Sequence, residues 1–220
     1  MPGTLSPGKL NIASGRQTRH MFESDEQLIA AVAAGDREAF AALYRRRRPD
    51  VFRFAMHMIG VPGAAEDVAQ DVFMTVIHEA RRYDPRRAGV VAWLLGIARN
   101  HARRRLSERR HEALPDGSSE PSIEADPADG LSRAQQTRAL RRALATLPIV
   151  YREAIVLCDL QELTYEDAAI AAGCAIGTIR SRLHRGRTLL ARRVRSEGDG
   201  RTGSREGAET AERRSRRAAG

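Results

Sequence analysis

Glu66, Asp67, Gln70 and Asp71 fall within six residues of one another, a spacing that sets Asp67 and Asp71 one helical turn apart. Paired acids can hold a divalent ion or share acid and base roles. Two carboxylates on one helix cannot enclose an ion, however, and neither a histidine nor a second acidic cluster lies at ligand spacing. His78-Glu79 is followed by Ala80-Arg81-Arg82, which breaks the HExxH zinc pattern. The chain has no Gly-rich phosphate loop and no Ser/His/Asp signature. Cys158 and Cys174 form no CxxC pair, so neither a disulfide framework nor a zinc site is encoded. A metal-dependent nuclease built on Glu66, Asp67 and Asp71 is therefore disfavoured, and the chain is not expected to be an enzyme, to bind a metal or to carry a cofactor. The acidic helix face suits a basic protein partner instead.

The second group of interest is cationic. Cys174 to Arg195 contains seven arginines and no acid. On a helical wheel Ile179, Leu183, Gly186 and Leu190 share one side, Ser181, His184, Arg185 and Thr188 face the other, and Arg180 sits on the border. Arg180 and Arg185 have the fork geometry that reads guanine in a major groove, with Ser181 and His184 making shorter contacts and Thr178, Arg182 and Arg187 meeting phosphates. Upstream, Thr164 can cap a helix with Asp167 reaching back. Ala168, Ala169 and Ala172 allow close helix crossing, and Gly173 suits the turn. The pattern is a helix-turn-helix.

The elements that must position these groups are helical throughout, because apolar residues recur at three and four rather than at two. Asp25 is expected to cap a helix through Val32 that stops at Gly35, and Asp36 to start the next. Pro49 is expected to interrupt that helix, a further one carrying Val51, Phe54 and Met58. A long helix over 64–83 has Val68, Val72, Val76 and Ala80 on one stripe with Phe73 and Ile77 beside it. After the turn-rich loop 83–89 comes a helix through Arg105, then helices from Thr137 to Leu147 and from Ile149 to Leu160. The chain carries a net charge of +9, distributed as +4 over 24–107, −4 over 108–136 and +6 over 137–195. The fold expected is all-α: two small helical domains, 24–107 and 137–195, the second a helix-turn-helix domain, joined by a flexible acidic linker, 108–136. The ends, 1–23 and 196–220, read as disordered, and Met21 is a possible alternative start. No apolar run approaches the roughly 18 residues needed to span a bilayer, so a cytoplasmic protein without membrane insertion is expected, and the net positive charge favours nucleic acid or an anionic membrane surface as partner.

Three motifs in order add specificity: Ala65-Glu66-Asp67-Val68-Ala69-Gln70-Asp71-Val72-Phe73, Trp93-Leu94-Leu95-Gly96-Ile97-Ala98-Arg99-Asn100, and Gly177-Thr178-Ile179-Arg180-Ser181-Arg182-Leu183-His184-Arg185-Gly186-Arg187. Together they resemble the extracytoplasmic-function group of sigma-70-type RNA polymerase sigma factors over residues 24–195, with Ala175 where the family often has proline. The resemblance implies that Glu66, Asp67, Gln70 and Asp71 meet core RNA polymerase at its largest-subunit clamp helices, with the flap as a further contact. It implies that Tyr83, Arg86, Arg87, Asn100, Arg103 and Arg104 capture the melted −10 promoter element. Thr178, Arg180, Ser181, Arg182, His184 and Arg185 would read the −35 element as duplex. It also implies that the linker threads the RNA exit path and that an anti-sigma factor is a partner. The alternative is a stand-alone helix-turn-helix regulator, which leaves the acidic helix of the first block without a purpose.

Overall fold

The computed structural model describes residues 24–112 and 131–195; the expectations for both ends and for the middle of the linker lie outside these residues. Helices α1 (Asp25–Ala33), α2 (Arg37–Ile59), α3 (Pro62–Glu79) and α4 (Val90–Glu112) make the first bundle. The second holds α5 (Leu131–Ala145), α6 (Ile149–Ile155), α7 (Tyr165–Ala172) and α8 over residues 176–195. Among the described residues there is no strand. Helices α4 and α5 reach into the expected linker from both sides.

Local chemistry explains most of the boundaries. Ser24, not Asp25, caps α1, accepting from the Gln27 amide while the Gln27 side chain accepts from the Ser24 amide. Asp25 is instead buried and paired with Arg46 and Arg47 of α2, where its charge ties two helices together. Asp36 caps α2 through the Glu38 and Ala39 amides at 2.8 and 3.1 Å. Contrary to the sequence expectation, α2 runs unbroken through Pro49. Leu43 before the proline and Val51 and Phe54 after it are all fully buried, so packing on one core outweighs the roughly 3 kcal/mol cost of an interior proline. Pro62 supplies a preset first turn for α3, which tightens into a 3-10 turn over Ala80–Arg82.

The two bundles are docked, a feature the patterning did not reveal. Leu28, Phe54, Phe73, Leu94 and Leu95 of the first and Leu144, Ile155, Leu157 and Ile179 of the second belong to one continuous core. The seam runs where α7 lies on α4 and α5 on α2. At the first crossing Gly96 meets the Ala171 backbone; a Cβ added there would stand 3.6 Å from its Cα and carbonyl oxygen. Arg152 of α6 is buried and donates to the carbonyls of Met58, Ala145 and Leu147, reaching the end of α2. Burial holds its guanidinium below the usual arginine value. His57 sits at the second crossing, its Nδ1 buried without a hydrogen-bond partner.

Burial, reinforced by Arg141 of α5 and Arg53 of α2, lowers the His57 pKa to about 4. Its folded value thus lies below the ordinary 6.5, and the folded state binds fewer protons than the unfolded chain between the two. The stability that neutral His57 supports is complete above pH 6.5 and is lost as pH falls toward 4. Thermal melts between pH 7 and 5 should show the wild type losing ground to His57→Gln; parallel pH profiles would refute this. A second expectation concerns the α8–α6 crossing, where a Cβ on Gly186 would come within 3.1 Å of the Ile155 side chain and the Tyr151 carbonyl. Gly186→Val should destabilise the chain by about 1–3 kcal/mol through overpacking, measured by urea unfolding.

Candidate polymerase and promoter surfaces

Helix α3 turns one stripe inward and offers the opposite one to solvent. Val68, Val72, Phe73 and Val76 are buried, Phe73 edge-on to Tyr44 with ring centroids 4.8 Å apart. Asp67 and Gln70 are exposed, with Asp71 partly so. Glu66 pairs with Arg48 of α2, while Arg105 of α4 lies 3.5 Å from Asp67 and 3.7 Å from Asp71. His101 adds a contact at 3.8 Å to Asp71. The acids are therefore partly balanced from within, at ranges and exposures where screening keeps each pair weak. Met74 and Ile77 continue this face and are 56% and 47% exposed, so Ile77 is a surface residue rather than a neighbour of the core stripe. Both were missed because a methionine or isoleucine beside an apolar stripe reads as packing.

The loop after α3 is closed by Tyr83, whose hydroxyl donates to the Ala88 carbonyl at 3.0 Å and whose ring lies 5.3 Å from that of Trp93. Asp84 accepts from the Arg86 amide at 3.0 Å and pairs with its guanidinium; these bonds hold the Asp84 pKa below the ordinary carboxylate value. Arg87 stays exposed. On α4, Asn100 and Arg104 are exposed, Arg104 pairing with Glu108 at 2.8 Å. Arg103 is different. It forks onto Glu153 of α6, a side chain only 1% exposed, which also receives Arg99 at 3.1 Å. Of the −10 candidates, Arg103 is ion-paired with the other module. Arg99 and Glu153 were not singled out in the sequence, since each alone looks like a solvated charge.

The helix-turn-helix is built as its sequence suggests. Thr164 accepts from the Asp167 amide at 3.1 Å, but the Asp167 carboxylate takes the Thr164 hydroxyl rather than a backbone amide. Gly173 adopts φ 60°, the left-handed turn that glycine allows. Ile179 and Leu183 are buried, so α8 presents Arg180, Ser181, His184 and Arg185 to solvent, with Thr178 and Arg182 half-buried. Arg187 is diverted to Asp159 in the widened turn after α6. Arg180 stacks over the Tyr165 ring at 5.1 Å. Stacking uses the guanidinium face and leaves its edge donors free.

Known proteins with this architecture decide the family. Residues 43–112 match the model for Sigma-70 region 2 and residues 137–190 that for Sigma-70, region 4. An ECF RNA polymerase sigma factor RpoE from Cereibacter sphaeroides is 37% identical over 67% of this chain and 82% of its own. The chain belongs to the extracytoplasmic-function RNA polymerase sigma factors. SigM of Mycobacterium tuberculosis, also an ECF sigma factor, is 37% identical over 77% of this chain and 84% of its own. Among solved structures, sigma factor RpoE in complex with the anti-sigma factor NepR from Bartonella quintana superposes with a TM-score of 0.60 at 30% identity, covering 71% of this chain and 96% of that one. CnrH in complex with the cytosolic domain of CnrY reaches 0.56 at 25% identity, covering 78% and 97%. A sigma factor confers promoter choice on polymerase rather than catalysing a reaction, and the stand-alone regulator is not favoured. Among the described residues no group of acids, histidines and cysteines is arranged to hold a metal, and no helix is long and apolar enough to cross a membrane.

Removing the ring under Arg180 should loosen its aim. Tyr165→Leu is expected to reduce discrimination at one base pair of the −35 element by severalfold while Tyr165→Phe retains it, read by competition binding on singly substituted duplexes. Equal behaviour of the two variants would assign Tyr165 no part in aiming Arg180.

Proposed function

We propose that this sigma factor divides its work among three faces. The strip of Asp67, Gln70, Asp71, Met74 and Ile77 on α3, with Glu66 at its edge, docks on the clamp helices of core RNA polymerase. The loop with Tyr83, Arg86 and Arg87, together with Asn100, Arg103 and Arg104 of α4, holds the melted −10 strand. Thr178, Arg180, Ser181, Arg182, His184 and Arg185 read the −35 duplex, the arginine forks carrying base identity and the others fixing register. Residues 24–107 and 137–195 are the corresponding functional domains, and 108–136 connects them through the RNA exit path. An anti-sigma factor is a further partner, in keeping with the relatives captured in such complexes. The work takes place in the cytoplasm at the nucleoid, where the promoters are.

The observation that carries this reading is the separation of opposite surfaces on one chain. A partly acidic, partly apolar face lies on α3, whereas an acid-free cationic face lies on α8. The first is repelled by phosphate and the second attracted to it, so one chain can touch protein and DNA without exchanging the roles. Melting needs no covalent chemistry: unpairing is offset by holding bases out of the stack with the strand's phosphates on nearby cations.

Run-off transcription with core polymerase on a genomic DNA library tests the whole. Initiation at discrete sites is expected only when the protein is added. In the full chain, Asp67→Lys with Asp71→Lys, or Met74→Ser with Ile77→Ser, should weaken polymerase assembly and leave −35 duplex binding unchanged. Arg180→Ala should cost about 1–3 kcal/mol and relax base preference at one −35 position; a uniform loss over all sequences would make it a phosphate contact.

A further inference from the structure

We infer that Ile176 reads the C5-methyl group of a thymine in the −35 duplex, and that Gly177 beside it lacks a side chain so that the DNA can come close enough for this contact. The inference rests on the assignment of α8 to the −35 element and adds to it two residues at the start of that helix and one base.

The start of α8 gives up stability in three ways. Helices α1, α2 and α7 open on the capping side chains of Ser24, Asp36 and Thr164, and α3 on the preset turn of Pro62. At the head of α8 stands Ala175, whose carbonyl accepts from the Thr178 and Ile179 amides at 2.9 and 3.1 Å and whose side chain can cap nothing. Gly177 then occupies a helical position, where glycine is less stable than alanine. Ile176, the first residue of the helix, leaves 39% of its surface in water. Local rules broken together at one helix end mark that end as functional.

Nothing within the described residues asks for this glycine. Gly173 needs its left-handed backbone, and Gly96 and Gly186 lie against other helices. Gly177 has no positive φ, and no atom lies within 4 Å of where its Cβ would stand. Gly63 of α3 is equally open, so open space alone is not the argument. The place of Gly177 is what counts: it lies between Ile176 and Thr178, at the end of the second helix of a helix-turn-helix, the end that meets base edges in the major groove. Ile176 stands four residues before Arg180, so the two share a face about 6 Å apart along the axis, one to two base-pair steps. Arg180, held over the Tyr165 ring, brings edge donors; Ile176 brings a branched apolar surface. Thymine is the base that presents a methyl group in that groove. Against it the isoleucine loses its exposure to water, and the missing Cβ of Gly177 lets the backbone approach.

Two arms test this in holoenzyme assembled from core polymerase and the full chain, and failure of either overturns the inference. The probes are duplexes carrying the −35 element upstream of a start site found by run-off transcription, with each −35 thymine replaced in turn by uracil, which removes only the methyl group. The wild type should lose about fourfold in affinity at one thymine, the scale of burying a single carbon. Ile176→Ala should bind the thymine and uracil duplexes alike. In the second arm, Gly177→Ala and Gly177→Gln should melt at or above the wild-type temperature, because the helix gains propensity and the unfolded chain loses freedom. They should nonetheless lose duplex affinity in order of size, about tenfold for the glutamine. A methyl effect that is absent, or that survives in Ile176→Ala, overturns the inference. So do Gly177 variants that bind as the wild type does, or whose melting temperature falls together with their binding, the mark of a packing residue. Run-off transcription separates the two readings. A wild type that initiates nowhere, or whose duplex binding ignores every −35 base change, defeats the assignment of α8 and this inference with it, whereas normal initiation with no methyl effect defeats the inference alone.

Discussion

A carboxylate with 1% of its surface exposed must be matched by positive charge or be protonated, and Glu153 is matched by two arginines from another module. That single constraint fixes the arrangement of the chain. To bring α6 within reach of Arg99 and Arg103, α7 must lie across α4, and the approach is close enough that Gly96 meets the Ala171 backbone. Arg152, the next residue along, then lands on the carbonyl of Met58 at the end of α2. The seam is thus knitted by consecutive residues of opposite charge, each reaching a different helix of the first bundle.

The apolar part of the seam and its polar part work differently. The core is continuous through Leu94, Leu95, Leu144, Ile155 and Leu157, and its burial is non-directional, scaling with area removed from water. The charged groups contribute register more than energy, because Arg152 and Glu153 are desolvated when the modules meet and rehydrated when they part. A chain held in this way has a defined docked form. The faces assigned to the polymerase and to duplex DNA stay exposed in that form.

Much of this was legible in the sequence where the information is local. Asp36, Thr164 and Gly173 mark helix ends because capping and a left-handed turn depend on a few adjacent residues. The inward stripe of Ile179 and Leu183 follows from period alone, and with it the outward face of Arg180, Ser181, His184 and Arg185. Errors arose where tertiary contact prevailed. Asp25 and Ser24 are equally good caps by type; Ser24 takes the role in a box with Gln27, while Asp25 turns inward onto two arginines of α2. Pro49 breaks isolated helices but not one pinned on both sides by Leu43 and Phe54. Docking was invisible because it joins Arg99 and Arg103 to a glutamate fifty residues from the latter, and no periodicity spans such a distance. Ile77 was misread for the opposite reason, its type suggesting a core it does not enter, and Met74 went unremarked.

Trp93 is the only tryptophan in the chain, and it rests on the ring of Tyr83, the residue whose hydroxyl ties down the loop before α4. The molecule therefore carries its own optical reporter, unlabelled and unique, at the edge of the surface proposed to hold unpaired bases. Emission from that indole has a single origin, so its colour and lifetime follow the packing of one loop on one helix and of both on the core beneath.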